Sequence, residues 1–241
     1  MASVERWKEY WRHQSDPDWR FEEEQDNARC AGEIRLLWGP GPPERVLELG
    51  CGTGSLFEPL GLPGASYRGV DVADSMLAVF RRTHPDLELI CSDASRYCDD
   101  RSYDLIFSHG LIQYFDPPRL LSHLRNARRM LAPEGRIVGA RILWKSLRHR
   151  YYSGGLTAGS PLEGGGGCQR GSRLSSSSIR SLKGALNLLR FHVLGDPTGF
   201  WYELDELREL ARQAGLEVRF FGCLTSLYRI HAVFTTSSAW R

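Results

Sequence analysis

Three carboxylates stand at or near the ends of three apolar runs of this chain, and acids so placed suit the recognition of a nucleoside. They are Glu48 in Val46-Leu47-Glu48-Leu49, Asp71 after Tyr67-Arg68-Gly69-Val70, and Asp93 after Leu89-Ile90-Cys91-Ser92. A carboxylate ending a second strand can accept from both hydroxyls of a ribose, and one ending a third can accept from an exocyclic amine such as adenine's. Between the first two stands Gly50-Cys51-Gly52-Thr53-Gly54. Glycines at alternate positions after a buried run read as a strand turning sharply into a helix, where bare backbone at a helix N-terminus can meet a ligand. The spacing is Gly-x-Gly-x-Gly, whose third glycine comes one position too early for the Gly-x-Gly-x-x-Gly that wraps a dinucleotide pyrophosphate.

A parallel sheet would bring these residues to one edge. Apolar segments around 46–49, 67–71, 87–91 and 103–107 alternate with helices expected near Gly54 to Leu60, Asp74 to Thr83 and Pro117 to Leu131. The prolines of the last suit a first helical turn, and strand-helix repetition implies parallel pairing. Tyr202 to Ala211 reads as a periodic helix stopped near Gly215, followed by alternating segments at 216–221 and 227–234. In the second of these Arg229 and His231 share one face by the two-residue period, with Tyr228 on the other. Upstream, Trp7, Tyr10 and Trp11 recur at helical spacing in an arm over Trp7 to Arg29, which either packs on the domain or closes over a ligand.

Four ordered motifs then carry a resemblance. Glu48 to Gly54 is the first, Gly69-Val70-Asp71 with Ser75-Met76-Leu77 the second, and Ser92-Asp93-Ala94 the third. Tyr103-Asp104-Leu105-Ile106 with Leu111-Ile112-Gln113-Tyr114-Phe115 is the fourth, and Leu131 to Val138 looks like the turn into a fifth strand, with Glu134 where many relatives carry glycine. The segment from Arg45 to Ile142 resembles the core of the class I S-adenosylmethionine-dependent methyltransferases. The resemblance implies an α/β, Rossmann-like fold: a seven-stranded, mostly parallel sheet with an antiparallel last strand, helices on both faces, and a flexible insertion after the fifth strand. It divides a single domain into an arm (1–30), a cofactor-binding core (45–144), an insertion or lid (145–200) and a closing helix with two strands (201–241). It also implies S-adenosyl-L-methionine as cofactor, held by Glu48, Gly50, Cys51, Gly52, Thr53, Gly54, Asp71, Val72, Met76, Ser92, Asp93, Ala94 and Ser108.

The activity so implied is in-line methyl transfer to a small-molecule acceptor at oxygen or nitrogen, which asks mainly for orientation. His109 is the candidate general base, because it follows the fourth strand, whose carboxyl end faces the transferred methyl in this fold; the competing reading is a loop histidine that shapes the pocket. Tyr114 in the same loop, and Tyr152, Trp201 and Tyr202 beside the insertion, are candidates for the acceptor wall. Ser108-His109-Gly110-Leu111 stands where exocyclic-base methylating relatives place Asn/Asp-Pro-Pro-aromatic, which argues against that chemistry. RNA or protein methylation through the insertion, and a non-catalytic cofactor-binding scaffold, stay open as alternatives.

With 241 residues, 41% hydrophobic and 25% charged, the composition is that of one soluble domain. Net charge is only +2, and no dedicated nucleic-acid-binding module is visible. Eight basic residues but only Glu163 and Asp196 fall between Ile142 and Phe200; an insertion this basic favours an anionic acceptor, unless it is simply a solvated loop. Six scattered cysteines lack the paired spacing of a zinc site, so reduced thiols and no metal are expected. No apolar run reaches membrane-spanning length, and the charged, Trp-rich start lacks a signal-peptide core, so a cytoplasmic location is expected. Oligomeric state is left open.

Overall fold

The computed structural model of the chain describes residues 24–153 and 199–236. The aromatic positions of the arm and most of the expected insertion lie outside the described residues. Helix α1 (Glu24–Leu37) comes first. Its Cys30, Ala31, Ile34 and Leu37 are buried at helical spacing, so the apolar stripe runs on past the arm boundary expected at residue 30. There follow β1 (Val46–Leu49), α2 (Phe57–Leu60), β2 (Tyr67–Asp71), α3 (Asp74–Thr83), β3 (Glu88–Cys91), β4 (Tyr103–His109), α4 (Pro117–Arg129) and β5 (Leu131–Leu143). A short α5 (Arg148–Tyr152), then α6 (Leu204–Gln213), β6 (Glu217–Gly222) and β7 (Arg229–Thr235) complete the described chain.

The seven strands pair in the order β3-β2-β1-β4-β5-β7-β6. All pairs from β3 to β5 are parallel, and β7 lies antiparallel between β5 and β6, as the resemblance implied. Chain order reverses between β1 and β4, so the crevice outside their carboxyl ends is the switch point at which open α/β sheets bind ligands. β1 and β2 are buried throughout because helices cover both faces. On one side α4 and α6 pack Leu120, Leu124, Leu207 and Ala211 over Ile106 and Ile137. On the other, Ile34 of α1 and Leu77 and Phe80 of α3 cover Val46, Leu105 and Phe107.

Local signals position these elements. Asp116 caps α4 by accepting from the Arg119 amide at 3.0 Å, with proline in the first turn where no amide partner is needed. Glu203 and Glu206 form a reciprocal capping box at α6. β5 is longer than its sequence suggested. Between Tyr103↔Leu131 and Leu105↔Arg136 its register jumps, so the exposed Pro133 and Glu134 bulge out of the ladder. A second irregularity lies between Gly139 and Ile142, where Arg141 takes φ 59°. A left-handed arginine is uncommon, and such a bulge re-aims a side chain at a sheet edge.

The start of the expected insertion is ordered. Residues 145–153 form a 3-10 turn and α5, and Trp144 bridges to Tyr202. The returning chain is fixed as well: the Phe200 amide donates to the Gln113 carbonyl at 2.7 Å, and a Cβ on Gly199 would stand 2.2 Å from that oxygen.

Candidate active site

The glycine turn joins β1 to α2 at the carboxyl edge of the sheet, with φ of 80° at Gly50, 53° at Gly52 and 82° at Gly54. Asp71, at the end of the neighbouring β2, holds the turn. Its Oδ2 accepts from the Gly52 amide at 2.9 Å and its Oδ1 from the Ala73 amide at 2.9 Å. Burial raises the Asp71 pKa from the ordinary carboxylate value while these backbone donors oppose the rise. A Cβ on Gly52 would meet only the Met76 methyl, at 3.6 Å. Among the described residues, packing therefore leaves the space over Gly52 open.

Glu48 lies beneath this turn, 2% exposed, and accepts from the Tyr67 hydroxyl at 2.6 Å. Burial first, then the charge of Asp71, pushes it up to about 8 against the opposing Tyr67 bond. The folded chain thus binds a proton at Glu48 that the unfolded chain releases near its ordinary value of 4.5. The stability this contributes is full below the lower value and is lost as pH rises through the upper one. Glu48→Gln cannot ionise and should flatten the profile: in urea melts from pH 5 to 8 the wild type loses on the order of a few kcal/mol relative to the variant. Parallel profiles would show that Glu48 is charged in the fold. Cys51 is buried, and its thiol is raised well above its ordinary value by burial and by Glu48 and Asp71, which suits packing and not nucleophilic chemistry.

The other expected cofactor residues surround the same edge. Val72 and Met76 are half-buried at the start of α3, and Thr53 is half-buried in the turn. The Ser92 amide donates to the Asp71 carbonyl at 2.8 Å, which sets the start of the Ser92-Asp93-Ala94 loop beside β2. Asp93 Oδ1 accepts from the amide and hydroxyl of Ser95, and Arg119 Nη1 stands 3.9 Å from Oδ2. Ala94 and Ser108 are buried, with Ser108 paired to Gly139 across β4 and β5.

His109 closes β4 with its Nε2 buried and without a hydrogen-bond partner. Burial, then Arg141, Arg229 and His231, push the ring down to about 3. An imidazole held that low is neutral at physiological pH and a weak base, so its surroundings oppose the general-base role expected from sequence. Tyr114 is half-buried on the 3-10 turn after β4. Tyr152 and Trp201 are buried together against Leu143, with the partly buried Tyr151 and Tyr228 packed on them. Tyr202 does not line a wall: it is 2% exposed in the core, and its hydroxyl donates to the Phe115 carbonyl at 2.6 Å.

Sequence reading missed three participants at this edge. Gln113 is buried after β4 and accepts at Oε1 from Arg229 Nη1 at 3.2 Å; the same Nη1 donates to the Arg141 carbonyl at 2.8 Å. The shared face of Arg229 and His231 was the available signal; the β5 bulge that presents Arg141 left none. Behind them, Glu33, Cys223 and His231 bring metal-ligand atoms within 4.8 Å of one another. Their segments are remote in sequence, so spacing could not show it. These groups already satisfy each other: Glu33 Oε2 faces His231 Nε2 at 2.7 Å, Oε1 accepts from the Leu224 amide at 2.7 Å, and Cys223 Sγ lies 3.1 Å from Thr225 Oγ1. The Arg141 charge also acts on Cys223 and His231, which disfavours a further cation. A groove of about 550 Å³ lined by Arg68, Glu88, Arg101 and Tyr103 opens at the amino ends of β2 to β4, the wrong end of such a sheet for its ligand.

Residues 46–135 match the family model described as a methyltransferase domain, and they contain the glycine turn, Asp71, Asp93 and His109. The fold of the chain is the Rossmann-like methyltransferase fold. Among curated relatives, the malonyl-[acyl-carrier protein] O-methyltransferase of Priestia megaterium is 32% identical over 97 residues, 39% of this chain and 35% of that protein. The trans-aconitate 2-methyltransferase of Methylobacterium nodulans is 35% identical over 112 residues, 46% of this chain and 43% of that protein. Such matches span less than half the length of either relative. Over nearly its whole length the chain's fold matches an S-adenosylmethionine-bound amino pentose methyltransferase from Micromonospora echinaspora, with TM-score 0.59, 17% identity and 97% of each chain covered. DesVI of Streptomyces venezuelae gives TM-score 0.60 at 16% identity, covering 88% of this chain and 92% of that one. Among the described residues no helix is long and apolar enough to cross a membrane.

Proposed function

We propose that this chain is a methyltransferase, moving a methyl group from S-adenosylmethionine to an oxygen or nitrogen of a small-molecule acceptor. The observation that carries the reading is the open space over Gly52, beside a carboxylate already aligned by the Gly52 and Ala73 amides. These residues fit the cofactor. Backbone at Gly50 to Gly54 would receive its amino-acid part, the unused lone pairs of Asp71 its ribose hydroxyls, and Asp93 its base, with Glu48 supporting the turn from below. Thr53, Val72, Met76, Ser92, Ala94 and Ser108 complete the walls. When bound, the cofactor supplies a methyl group already activated by a positive sulfur. The chain's own task is then to exclude water and align the acceptor. His109 serves as a neutral hydrogen-bonding group on the acceptor side, and Tyr114, Tyr151 and Tyr228 are half-buried rings that can line it.

Titration calorimetry with S-adenosylmethionine tests the reading directly. The wild type should bind it, and Gly52→Val should lose that binding, since the new side chain enters the ligand's space. The variant should stay folded and melt several degrees lower, because φ 53° strains any β-branched residue there. The absence of binding heat with the wild type, or undiminished affinity in the valine variant, would reject it.

A further inference from the structure

Arg229 opens β7 beside the carboxyl ends of β4 and β5, on the far side of the switch point from Asp71. Its guanidinium is half-buried, and each partner it meets is neutral. Nη1 donates to the Arg141 carbonyl and to Gln113 Oε1, and Cζ lies 5.4 Å from the Tyr228 ring centroid. Among the described residues no carboxylate pairs with it, and Nε has no hydrogen-bond partner. Glu33, the buried acid of this neighbourhood, is engaged by His231 and the Leu224 amide.

A partly desolvated cation without a counter-charge is costly, and a guanidinium is the side chain best shaped for two parallel bonds to a carboxylate. With Nη1 tied to the protein and Nε buried, Nη2 is the nitrogen left to meet such a group. Polar and aromatic groups lie close to it. His109 Nε2 is buried nearby without a partner, and its ring feels the charge of Arg229. Tyr151 packs on Tyr228 with ring centroids 4.5 Å apart and on Trp201 at 5.5 Å, which sets an aromatic wall beside the guanidinium. Gln113 both orients the guanidinium and receives the Phe200 amide, so the returning chain closes one side.

We propose that Arg229 anchors a carboxylate of the methyl acceptor, so that the acceptor is an organic acid held beside the aromatic wall. This rests on the methyl-transfer reading above, since it assigns the other half of the same site. Gln113 is a positioning residue that keeps the guanidinium uncompensated until the acceptor arrives.

Gln113→Glu tests this with almost no change in size. The new carboxylate would retain the bond to Arg229 and supply internally the charge that the acceptor otherwise brings. Malonate, with neutral malonamide as control, would be titrated calorimetrically into the full chain saturated with S-adenosylhomocysteine. The wild type should bind malonate and not malonamide. Gln113→Glu should bind malonate at least tenfold more weakly, with unchanged S-adenosylhomocysteine affinity and an unlowered melting temperature. Arg229→Gln, read the same way, should lose malonate binding and serves if the glutamate variant fails to fold. Malonate affinity undiminished in the folded variant, or no malonate binding by a wild type that binds S-adenosylhomocysteine, overturns the anchor and leaves the methyltransferase reading standing. Failure of S-adenosylhomocysteine itself to bind would remove the methyl-transfer reading and the anchor with it.

Discussion

Gly54→Ala should destabilise the chain by about 3 kcal/mol or more, the sum of a left-handed backbone and an overpacked core. At φ 82° any Cβ is strained, and here it would stand 2.2 Å from the Phe80 ring. Phe80 cannot yield. It is fully buried, with Phe57, Tyr67 and His84 edge-on around it at centroid distances of 5.9, 6.1 and 5.4 Å. For a domain of this size such a loss lowers the melting temperature by roughly 6 to 12 °C, and urea denaturation should show the midpoint falling with little change in slope. Pairing the substitution with Phe80→Leu should return part of the loss by freeing the space the new methyl needs. A midpoint equal to that of the wild type would mean that the turn and the α3 ring do not meet as described.

Asp71→Ala should weaken S-adenosylmethionine binding by about 100-fold or more while leaving the chain folded. The carboxylate joins the two sides of the crevice, since one oxygen takes the Gly52 amide of the turn and the other the Ala73 amide before α3. Its removal leaves two backbone donors unsatisfied and frees the turn to reorient, in addition to losing the acceptor proposed for the ribose. Charge-assisted hydrogen bonds contribute roughly 1.5–3 kcal/mol each, and two of them lost from binding correspond to that factor. Asp71→Asn, which keeps one oxygen acceptor, should fall between the two. Calorimetry at constant pH separates the three proteins, and an alanine variant within threefold of wild type would remove Asp71 from the cofactor site.

The two substitutions differ in what they act on. Gly54 is required by protein packing and its loss is read in stability, whereas Asp71 aligns a surface for a ligand and its loss is read in affinity. Glu48 combines both aspects: a buried, protonated acid under the turn supports the crevice and makes the fold's stability depend on pH.

The sequence by itself determined the sheet and the glycine turn beside Asp71. β1, β2 and α3 fall where the apolar runs and the motif order placed them, because a buried parallel strand needs a continuous apolar segment and a helix over it needs a stripe. Asp71 and the glycines were legible for a similar reason, since their work depends on residues within one strand-turn-helix unit. The proposed acceptor side was decided only by tertiary structure. Arg229, Gln113, His109 and Arg141 come from β7, the loop after β4, the end of β4 and a bulge in β5, and no local spacing joins them. The character of single groups also changed with burial. His109 reads in sequence as a titrating histidine, yet the low-dielectric edge and two nearby guanidiniums hold it neutral, and Tyr202 reads as a wall residue until the core closes around it. Desolvation and the field of distant charges depend on the whole surrounding volume, which linear order does not encode.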